Sequence, residues 1–488
     1  MPPRELTLRA RYVFPVDGPP IPGGIVRVTG ERISHVGPAD RDPDIDLGNA
    51  AIVPGFVNAH THLELSSLRA KGMGAGEFTD WLRRVIEARR GQSATEVAHA
   101  IGRGVDACLA SGTTLVGDIS TGGKSWQVLS RSGLRAVVFC ELLGLGLSRA
   151  AETAKAAGQF LEWAGYCAGS RAGTTPEMHT AETPESLSQD PSPPAPLPAD
   201  AERGEGYELT FDDGSCLESL PHTRPTPLGS KRTASLSPHA PYSTHPKLYD
   251  LAADWGRRTR EVICTHLAET REELRLLEHR DGPLRRFLAS LGAWDDNWNP
   301  VGASPLDYLT GTMTRHSDWL IAHGNYLTED EIAMLAARPG SDSARRVVVY
   351  CPRTHNYFGH TRHPYPRMLE AGLTVCLGTD SLASVPTLSI LDEMRFLHRR
   401  DDRLPGHVLL HMATLAGAFG LRREQHCGSL TPGKYADLAV VALPDRDEAD
   451  PHRLLLQSDL PVTKTMINGR FVFHSGLLPF AVRGTDLP

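Results

Sequence analysis

A (β/α)8 barrel with a small β-sandwich beside it, the sandwich built from both ends of the chain, is the fold this sequence predicts. Two observations carry the prediction. Eight short apolar, β-branched runs recur between residues 51 and 380, most of them followed by a stretch with helical apolar spacing. On either side, residues 5–47 and 428–475 read instead as short strands joined by glycine turns.

In chain order the eight runs are AIVPGFVNAH (51–60), TTLVGDIS (113–120), RAVVFCEL (135–142), TASLSPHA (233–240), EVICTHLAE (261–269), DWLIAHG (318–324), RVVVYCP (346–352) and LTVCLGTD (373–380). Between them, FTDWLRRVIEARR (78–90) and LSILDEMRFLHRR (388–400) place apolar residues at i, i+3 and i+4, as an amphipathic helix requires. Near-continuous apolar strands alternating with helices imply a parallel sheet buried on both faces. Eight such units match a (β/α)8 barrel. Ahead of them, LTLRARYVF and GGIVRVTGERISHVG have the look of antiparallel strands. Beyond them, GSLTPGKYADLAVV and TKTMINGRFVFHSG look the same, with Asn468–Gly469 a hairpin signal. The expected division is residues 1–50 plus 425–488 for the sandwich and 51–424 for the barrel.

One segment fits neither domain. Ten prolines lie between Pro176 and Pro227, with Ser, Glu and Asp filling much of the rest. Such a composition buries too little apolar surface to offset the entropy of ordering. Residues 168–232 are therefore expected to be a largely disordered insertion, tolerated at the surface.

The bulk composition narrows the function classes. A chain of 488 residues, 40% hydrophobic and 22% charged, has the make-up of an ordinary soluble globular protein with room for a sizeable core. A net charge of −7 argues against nucleic-acid binding through a basic face. No apolar run approaches the ~18 residues of a membrane helix, and MPPRELTLRARYVF has no secretory h-region. The eight cysteines are scattered without a C-X-X-C, and Cys264, Cys351 and Cys376 lie in strand-like runs. A reducing, cytoplasmic compartment is the simplest expectation.

The chemistry begins at PGFVNAHTHLELSS (54–67), where His60 and His62 stand one residue apart and so share a face if the segment is a strand. Chance alone supplies such a pair in a chain with 21 histidines. Position distinguishes it. His60 and His62 end the first candidate strand, His239 the fourth, His266 and Glu269 the fifth, His323 the sixth and Asp380 the eighth. These are the strand ends from which a barrel projects its functional groups. Three imidazoles and one carboxylate suit Zn2+ or Fe2+ with a position left for water, whose pKa falls from about 15.7 toward roughly 7 on the ion. A second carboxylate, free of the ion, can then carry a proton to the leaving group. Glu269, three residues beyond His266, is placed for that task, and His323 for a hydrogen bond to the attacking water or the target atom.

The ordered set PGFVNAHTH, HLAE, HG, GTDS, MATLAGAFGL and GSLTPGKYADLAVV resembles the amidohydrolase superfamily, and more narrowly its chlorohydrolase and aminohydrolase (ATZ/TRZ-like) branch. The resemblance covers nearly all of the chain outside the proline-rich segment. It implies that His60, His62, His266 and Asp380 ligate the metal, that Glu269 is the proton-shuttling acid/base, and that His323 is the histidine beside the ion. Two-metal members bridge their ions with a carboxylated lysine on the fourth strand. TASLSPHA has none, so one divalent ion per subunit, Zn2+ or Fe2+, is implied. Asp380 is counted with Glu269 and His323 among the catalytic residues.

The resemblance also implies substrate contacts. Trp81 matches a tryptophan that deaminases of this branch place over the substrate, its other reading being a core aromatic. His239 resembles the branch's substrate-contacting histidine. Glu64 has two readings, a group within reach of a ring nitrogen or a solvated loop glutamate. The seventh strand departs from the usual Cys-Pro-X-Ser-Asn: here CPRTHNYFGHTRHP puts Thr354 and His355 at the Ser-Asn positions with Arg353 before them. Arg353 and His355 are thus expected to hold an anionic part of the substrate, such as a carboxylate, while His360 and His363 read as loop residues in solvent. HVLLH (407–411) lacks the glutamate of a zinc-protease helix, and RRVIEARR (83–90) reads as a solvated helix face.

The expected function is hydrolytic deamination of an aminated heterocycle, a purine or purine nucleoside derivative; SPHAPYSTHP resembles the aminodeoxyfutalosine deaminases. The alternatives are a chlorohydrolase or amidase using the same site, and a scaffold that has lost catalysis. Retention of Glu269 favours an amine, because ammonia needs a proton to leave and chloride does not. The expected partner is a small heterocycle, with no nucleic acid and no membrane, and a homodimer is the assembly considered.

Overall fold

The computed structural model describes residues 5–71, 76–169, 209–210, 216–217, 220, 230–311, 314–337 and 344–475. Its centre is two four-stranded parallel sheets. The first contains β1 (Phe56–Thr61), β2 (Thr113–Thr121), β3 (Arg135–Leu142) and β4 (Arg232–Pro238), hydrogen-bonded in chain order. The second contains β5 (Ile263–Leu267), β6 (Trp319–His323), β7 (Arg346–Tyr350) and β8 (Thr374–Leu377), also in chain order. Helices follow most of these strands, among them Phe78–Arg90 after β1, Pro246–Thr259 after β4 and Arg271–His279 after β5.

A few hydrogen bonds join the two sheets at each of their free edges. Between β1 and β8, the backbone N–H groups of Thr379 and Asp380 donate to the His60 carbonyl at 3.2 and 3.0 Å. Asn58 reinforces that seam, its Nδ2 donating to Thr379 Oγ1 at 2.8 Å and its Oδ1 accepting from Thr379 N at 3.1 Å. Between β4 and β5, His266 N donates to His239 O at 2.8 Å, and Ser235 Oγ to Val262 O at 2.5 Å. Both seams therefore run through residues that the sequence marks as functional.

The run 51–60, expected as one strand, is two. Ala50–Pro54 pairs antiparallel with Leu438–Ala442 in a terminal sheet, and only Phe56–Thr61 joins the parallel strands. Gly55 marks the break. A β-carbon there would lie 2.1 Å from Thr114 Oγ1, so only glycine lets the chain cross so close to β2. The terminal segments form a four-stranded sheet, Arg32–Gly37, Ile25–Thr29, Glu5–Arg9 and Ile45–Asp46, and a six-stranded one that includes Leu438–Ala442, Val462–Ile467 and Arg470–His474. Leu8, Val26, Ile33, Ile52, Leu438, Val440 and Met466 form one buried cluster between them. Asn468 and Gly469 both have positive φ, 51° and 71°, the requirement of a tight hairpin turn. The insertion expected at 168–232 lies almost entirely outside the described residues. Among the described residues, no helix is long and apolar enough to cross a membrane.

Candidate active site

Alternation along the strands decides which side chains gather at their C-terminal ends. Val137 and Phe139 of β3, Cys264 of β5, Leu320 of β6, Val347 and Val349 of β7 and Cys376 of β8 share one buried interior cluster. Stepping on by two residues reaches Glu141 after Phe139, His266 after Cys264 and, past Gly378, Asp380. On β4 the buried polar series Thr233, Ser235 and Ser237 leads to His239 in the same way. In β1 a register shift between Asn58 and Thr61 re-aims the strand end, and His60 Nδ1 lies 3.9 Å from Cys264 Sγ of the interior cluster. A β-carbon on Gly378 would fall 3.0 Å from His60 Cβ and 2.8 Å from Val349 Cγ1, so glycine is what lets the end of β8 pass this close to His60.

Two members are re-aimed by their backbones. His323 and Asp380 have φ of 69° and 61°, the left-handed region that costs a non-glycine residue ~1–3 kcal/mol.

His60, His62, His266 and Asp380 converge. Nε2 of His62 lies 3.4 Å from Nε2 of His266 and 3.6 Å from Asp380 Oδ1, and ligand atoms of His60, His62 and Asp380 are all within 4.8 Å of one another. His60, His266 and His323 form an overlapping group of the same kind. Burial holds these imidazoles neutral: it pushes His266 down to about 4, and His60, His62 and His323 well below the ordinary histidine value, with neighbouring histidines adding to the effect. Neutral imidazole is the metal-binding form.

The donors fit a metal ion. His60 Nε2 is buried with no hydrogen-bond partner. His266 Nδ1 is engaged by the His239 carbonyl at 2.9 Å, so its proton sits there and Nε2 carries a lone pair toward His62. The 3.4 Å between those two nitrogens is close to the spacing across a tetrahedral ion with bonds of about 2.0–2.1 Å. Asp380 is held from behind: Ser384 Oγ donates to Oδ2 at 3.2 Å and Thr354 Oγ1 lies 2.8 Å from Ser384 Oγ.

Glu269 stands beside this group. Its Oε1 is 3.6 Å from His323 Nε2, and the residue is 6% exposed. Burial, with Asp380 and then Glu273 and Glu272 nearby, raises its carboxyl well above the ordinary glutamate value. The loop that carries it is fixed by Glu273, whose side chain accepts from the backbone N–H of Ala268 at 3.1 Å and of Glu269 at 2.8 Å. Asn325 Nδ2 donates to the Glu269 carbonyl at 2.9 Å.

The expected substrate contacts divide. His239 flanks the cluster, its ring 4.9 Å from that of His266 and its Nδ1 2.5 Å from Ser243 Oγ. Trp81 is buried, stacks against Phe78, and donates from Nε1 to the carbonyl of Ala383, three residues past Asp380, at 3.2 Å. Glu64 is not a solvated loop group: it is 4% exposed, takes an ion pair from Arg89 Nη2 at 2.7 Å and accepts from Thr121 N. Arg89 in turn is not merely part of a solvated helix face, since it also reaches Thr121 Oγ1 at 2.9 Å.

Arg353 is a correction. Its guanidinium is committed to Glu393 at 2.7 Å, to Thr387 Oγ1 at 2.9 Å and to the Thr387 and Ser389 carbonyls, which leaves it no role as a carboxylate clamp. Glu393 is fully buried and needs that cation. His355, 9% exposed, has ring contacts with Tyr350, His360 and His363 rather than with the four converging residues. His360 and His363 are not in solvent either: His360 Nδ1 meets Tyr326 Oη at 3.1 Å, and His363 is 2% exposed.

Five residues near the site were given no place there from the sequence: Arg89, Glu141, Glu273, Asn325 and His363. Two carried a usable signal. Glu141 ends a strand as His239 and His266 do, and Thr270-X-X-Glu273 has the spacing of a helix-capping pair.

A model of the amidohydrolase family matches residues 51–472. The 5-methylthioadenosine/S-adenosylhomocysteine deaminase of Moorella thermoacetica is 25% identical over 499 residues, spanning 99% of this chain and 91% of that protein. The crystal structure of Helicobacter pylori aminofutalosine deaminase superposes with a TM-score of 0.71 at 22% identity, covering 96% of this chain and all of that one. Atrazine chlorohydrolase TrzN from Arthrobacter aurescens TC1, solved with zinc, gives 0.69 at 18% identity over 96% of this chain and 95% of its own. At those identities the two superpositions establish a shared fold.

Proposed function

The chain belongs to the amidohydrolase family, and on that premise we propose that it is a metal-dependent hydrolytic deaminase of an aminated heterocycle, a purine nucleoside derivative such as aminodeoxyfutalosine. One observation carries the reading: the 3.4 Å approach of His62 Nε2 to His266 Nε2 beside Asp380, with the Glu269 carboxyl 3.6 Å from His323 at its edge. The deaminase relative that spans nearly the whole chain supports the reaction class. The two parallel sheets, stitched at both seams, act in this reading as one (β/α)8 barrel, 51–424. The terminal sheets, from 1–50 and 425–488, form a sandwich beside it. The six buried free cysteines among the described residues suit a cytoplasmic setting.

His60, His62, His266 and Asp380 would hold the ion. When bound, Zn2+ or Fe2+ supplies a Lewis acid that lowers the pKa of water toward roughly 7. The remaining work belongs to side chains. In the net reaction the water oxygen bonds to the ring carbon, the exocyclic C–N bond breaks, and the nitrogen departs as ammonia. Glu269 Oε1 takes a proton from water and delivers it to that nitrogen. Its burial matches the task, because a carboxyl raised above the usual range can carry the proton near neutral pH. His323, neutral and 3.6 Å from Glu269, orients the attacking oxygen. His239 and Trp81 position the ring, and Glu64, fixed by Arg89, faces its polar edge.

The test is ammonia release from a panel of aminated purines, nucleosides and pterins by metal-loaded protein, with Glu269→Gln as control. Ammonia from a purine nucleoside, lost in the control, is the expected result. No release from any member, with metal bound, overturns the reading.

A further inference from the structure

His363 lies 40 residues beyond His323, in the loop that follows β7, and it touches the backbone of His323 directly. Its Nε2 is 2.8 Å from the His323 carbonyl oxygen. Its Nδ1 accepts from Tyr365 N at 2.9 Å. A backbone amide only donates, so Nδ1 must be the unprotonated nitrogen and Nε2–H must point at the carbonyl. The tautomer is thus fixed by a neighbour two residues away. The ring is 2% exposed and stacks on Tyr350 at 3.9 Å between centroids, which fixes its plane as well.

What this hydrogen bond holds is unusual. His323 sits at φ 69° and Gly324 follows at 63°, so the chain makes two consecutive left-handed steps as it leaves β6. Glycine enters that region freely; histidine does so at a cost, and persists there only when its surroundings over-determine it. That turn carries the His323 ring off the strand's alternation, to within 3.6 Å of Glu269 and stacked 5.4 Å from His266. Gly324 N donates to Leu267 O at 2.9 Å and ties the turn to β5, whereas the His323 carbonyl, turned the other way, is met by His363.

We propose that His363 is a positioning residue for His323: its Nε2–H clamps the His323 carbonyl, holds the strained turn, and so aims the His323 imidazole at Glu269. The catalytic half of this inference rests on the deaminase reading; the structural half does not. Glutamine places an amide N–H2 near the reach of histidine Nε2, and leucine fills similar space without a donor.

The experiment compares wild type, His363→Leu and His363→Gln, each metal-loaded and checked for metal content, in ammonia-release kinetics. Long-range 1H–15N spectra of histidine-labelled protein are recorded in parallel. The expected result is a kcat loss of roughly tenfold or more in His363→Leu with KM little changed, since small misplacements of a catalytic group cost that much, and recovery of most of it in His363→Gln. The spectra should show His363 as the Nε2–H tautomer in wild type, and a His323 ring signal that shifts in the leucine variant and returns in the glutamine one. An unchanged kcat in His363→Leu, or a glutamine variant no better than leucine, overturns the proposal. If wild type releases no ammonia, the deaminase reading has failed, and the spectra decide alone: an Nδ1–H tautomer or an unmoved His323 signal overturns the clamp.

Discussion

Oε1 of Glu269 lies 3.6 Å from Nε2 of His323, with both residues almost wholly buried. An acid and a neutral imidazole that close, away from water, are the pair to which the proposed deamination assigns the handling of the proton. Replacing Glu269 with glutamine keeps the shape and removes the transferable proton. General acid–base catalysis contributes about 10²–10⁴-fold, so kcat for ammonia release should fall by roughly that factor while metal content stays at the wild-type value. A chloride-bearing analogue of the same ring offers a contrast, because its leaving group needs no proton. Turnover of that analogue should suffer much less, and equal losses on both would show that Glu269 does something other than protonate nitrogen.

Glu273 holds Glu269 in place without touching any reacting group in the proposed chemistry. Its carboxylate accepts from two successive backbone N–H groups, Ala268 at 3.1 Å and Glu269 at 2.8 Å, where Ala268 is itself left-handed at φ 50°. Glu273→Ala leaves both donors buried and unpaired, at about 1–3 kcal/mol for each group. The expected outcome is a lower melting temperature together with a lower kcat. Glu273→Gln, which keeps one acceptor oxygen, should fall between. Thermal melts and kinetics on the same samples check this, and an alanine variant with normal kcat would confine Glu273 to capping its helix.

The parts of this molecule that were legible in the sequence are those governed by local pattern. Apolar strands ending in His or Asp can be read because strand alternation and the strand-end rule depend on only a few adjacent residues, as at Cys264 and His266 or at Cys376 and Asp380. What escaped depends on contacts far apart in the chain. The commitment of Arg353 to Glu393 spans 40 residues, and that of Glu64 to Arg89 spans 25 across a helix, so neither partner is marked by spacing. An exposed-looking arginine or glutamate in sequence carries no sign of whether a fold has already used its charge. The split of 51–60 was hidden for a related reason: both halves are apolar, and only the packing of Thr114 against Gly55 decides where one sheet hands over to the other.

Arg353 yields a stability prediction with a definite pH sign. Its side chain is 10% exposed and that of Glu393 is fully buried, so removing the guanidinium strands a carboxylate in the interior. Breaking a buried pair this way costs roughly 3–5 kcal/mol. Burial raises the Glu393 carboxyl to about 7, against the opposing pull of Arg353. A carboxyl whose folded value lies above its unfolded one keeps its proton longer in the native state, so its contribution to stability declines as pH rises from about 4.5 through 7. Arg353→Ala removes the opposing pull, raises the folded value further and extends that decline to higher pH. The melting-temperature deficit of the variant should therefore be larger at pH 8 than at pH 5.5. Its KM for a carboxylate-bearing nucleoside and for adenosine should change in the same proportion, since the side chain does not serve as a clamp.

Metal removal tests the converging donors most directly. Without a cation, His62 Nε2 and His266 Nε2 face each other at 3.4 Å, and His60 Nε2 is buried without a partner. His266 Nδ1 is held by the His239 carbonyl, so its Nε2 is the acceptor that either an N–H of His62 or an ion can occupy. An ion that binds only the folded chain adds RT ln(1 + [L]/Kd), about 2.7 kcal/mol at a hundredfold excess over Kd. Dialysis against a chelator should lower the melting temperature and abolish ammonia release, and Zn2+ or Fe2+ should restore both. His266→Ala should melt at one temperature with or without the ion, having lost a ligand. The ion's effect should also weaken at acid pH, where protons compete for the imidazoles, although burial already holds His266 near 4. A melting temperature indifferent to chelator in the wild type, with metal content confirmed at the start, would place the ion elsewhere than among His60, His62, His266 and Asp380.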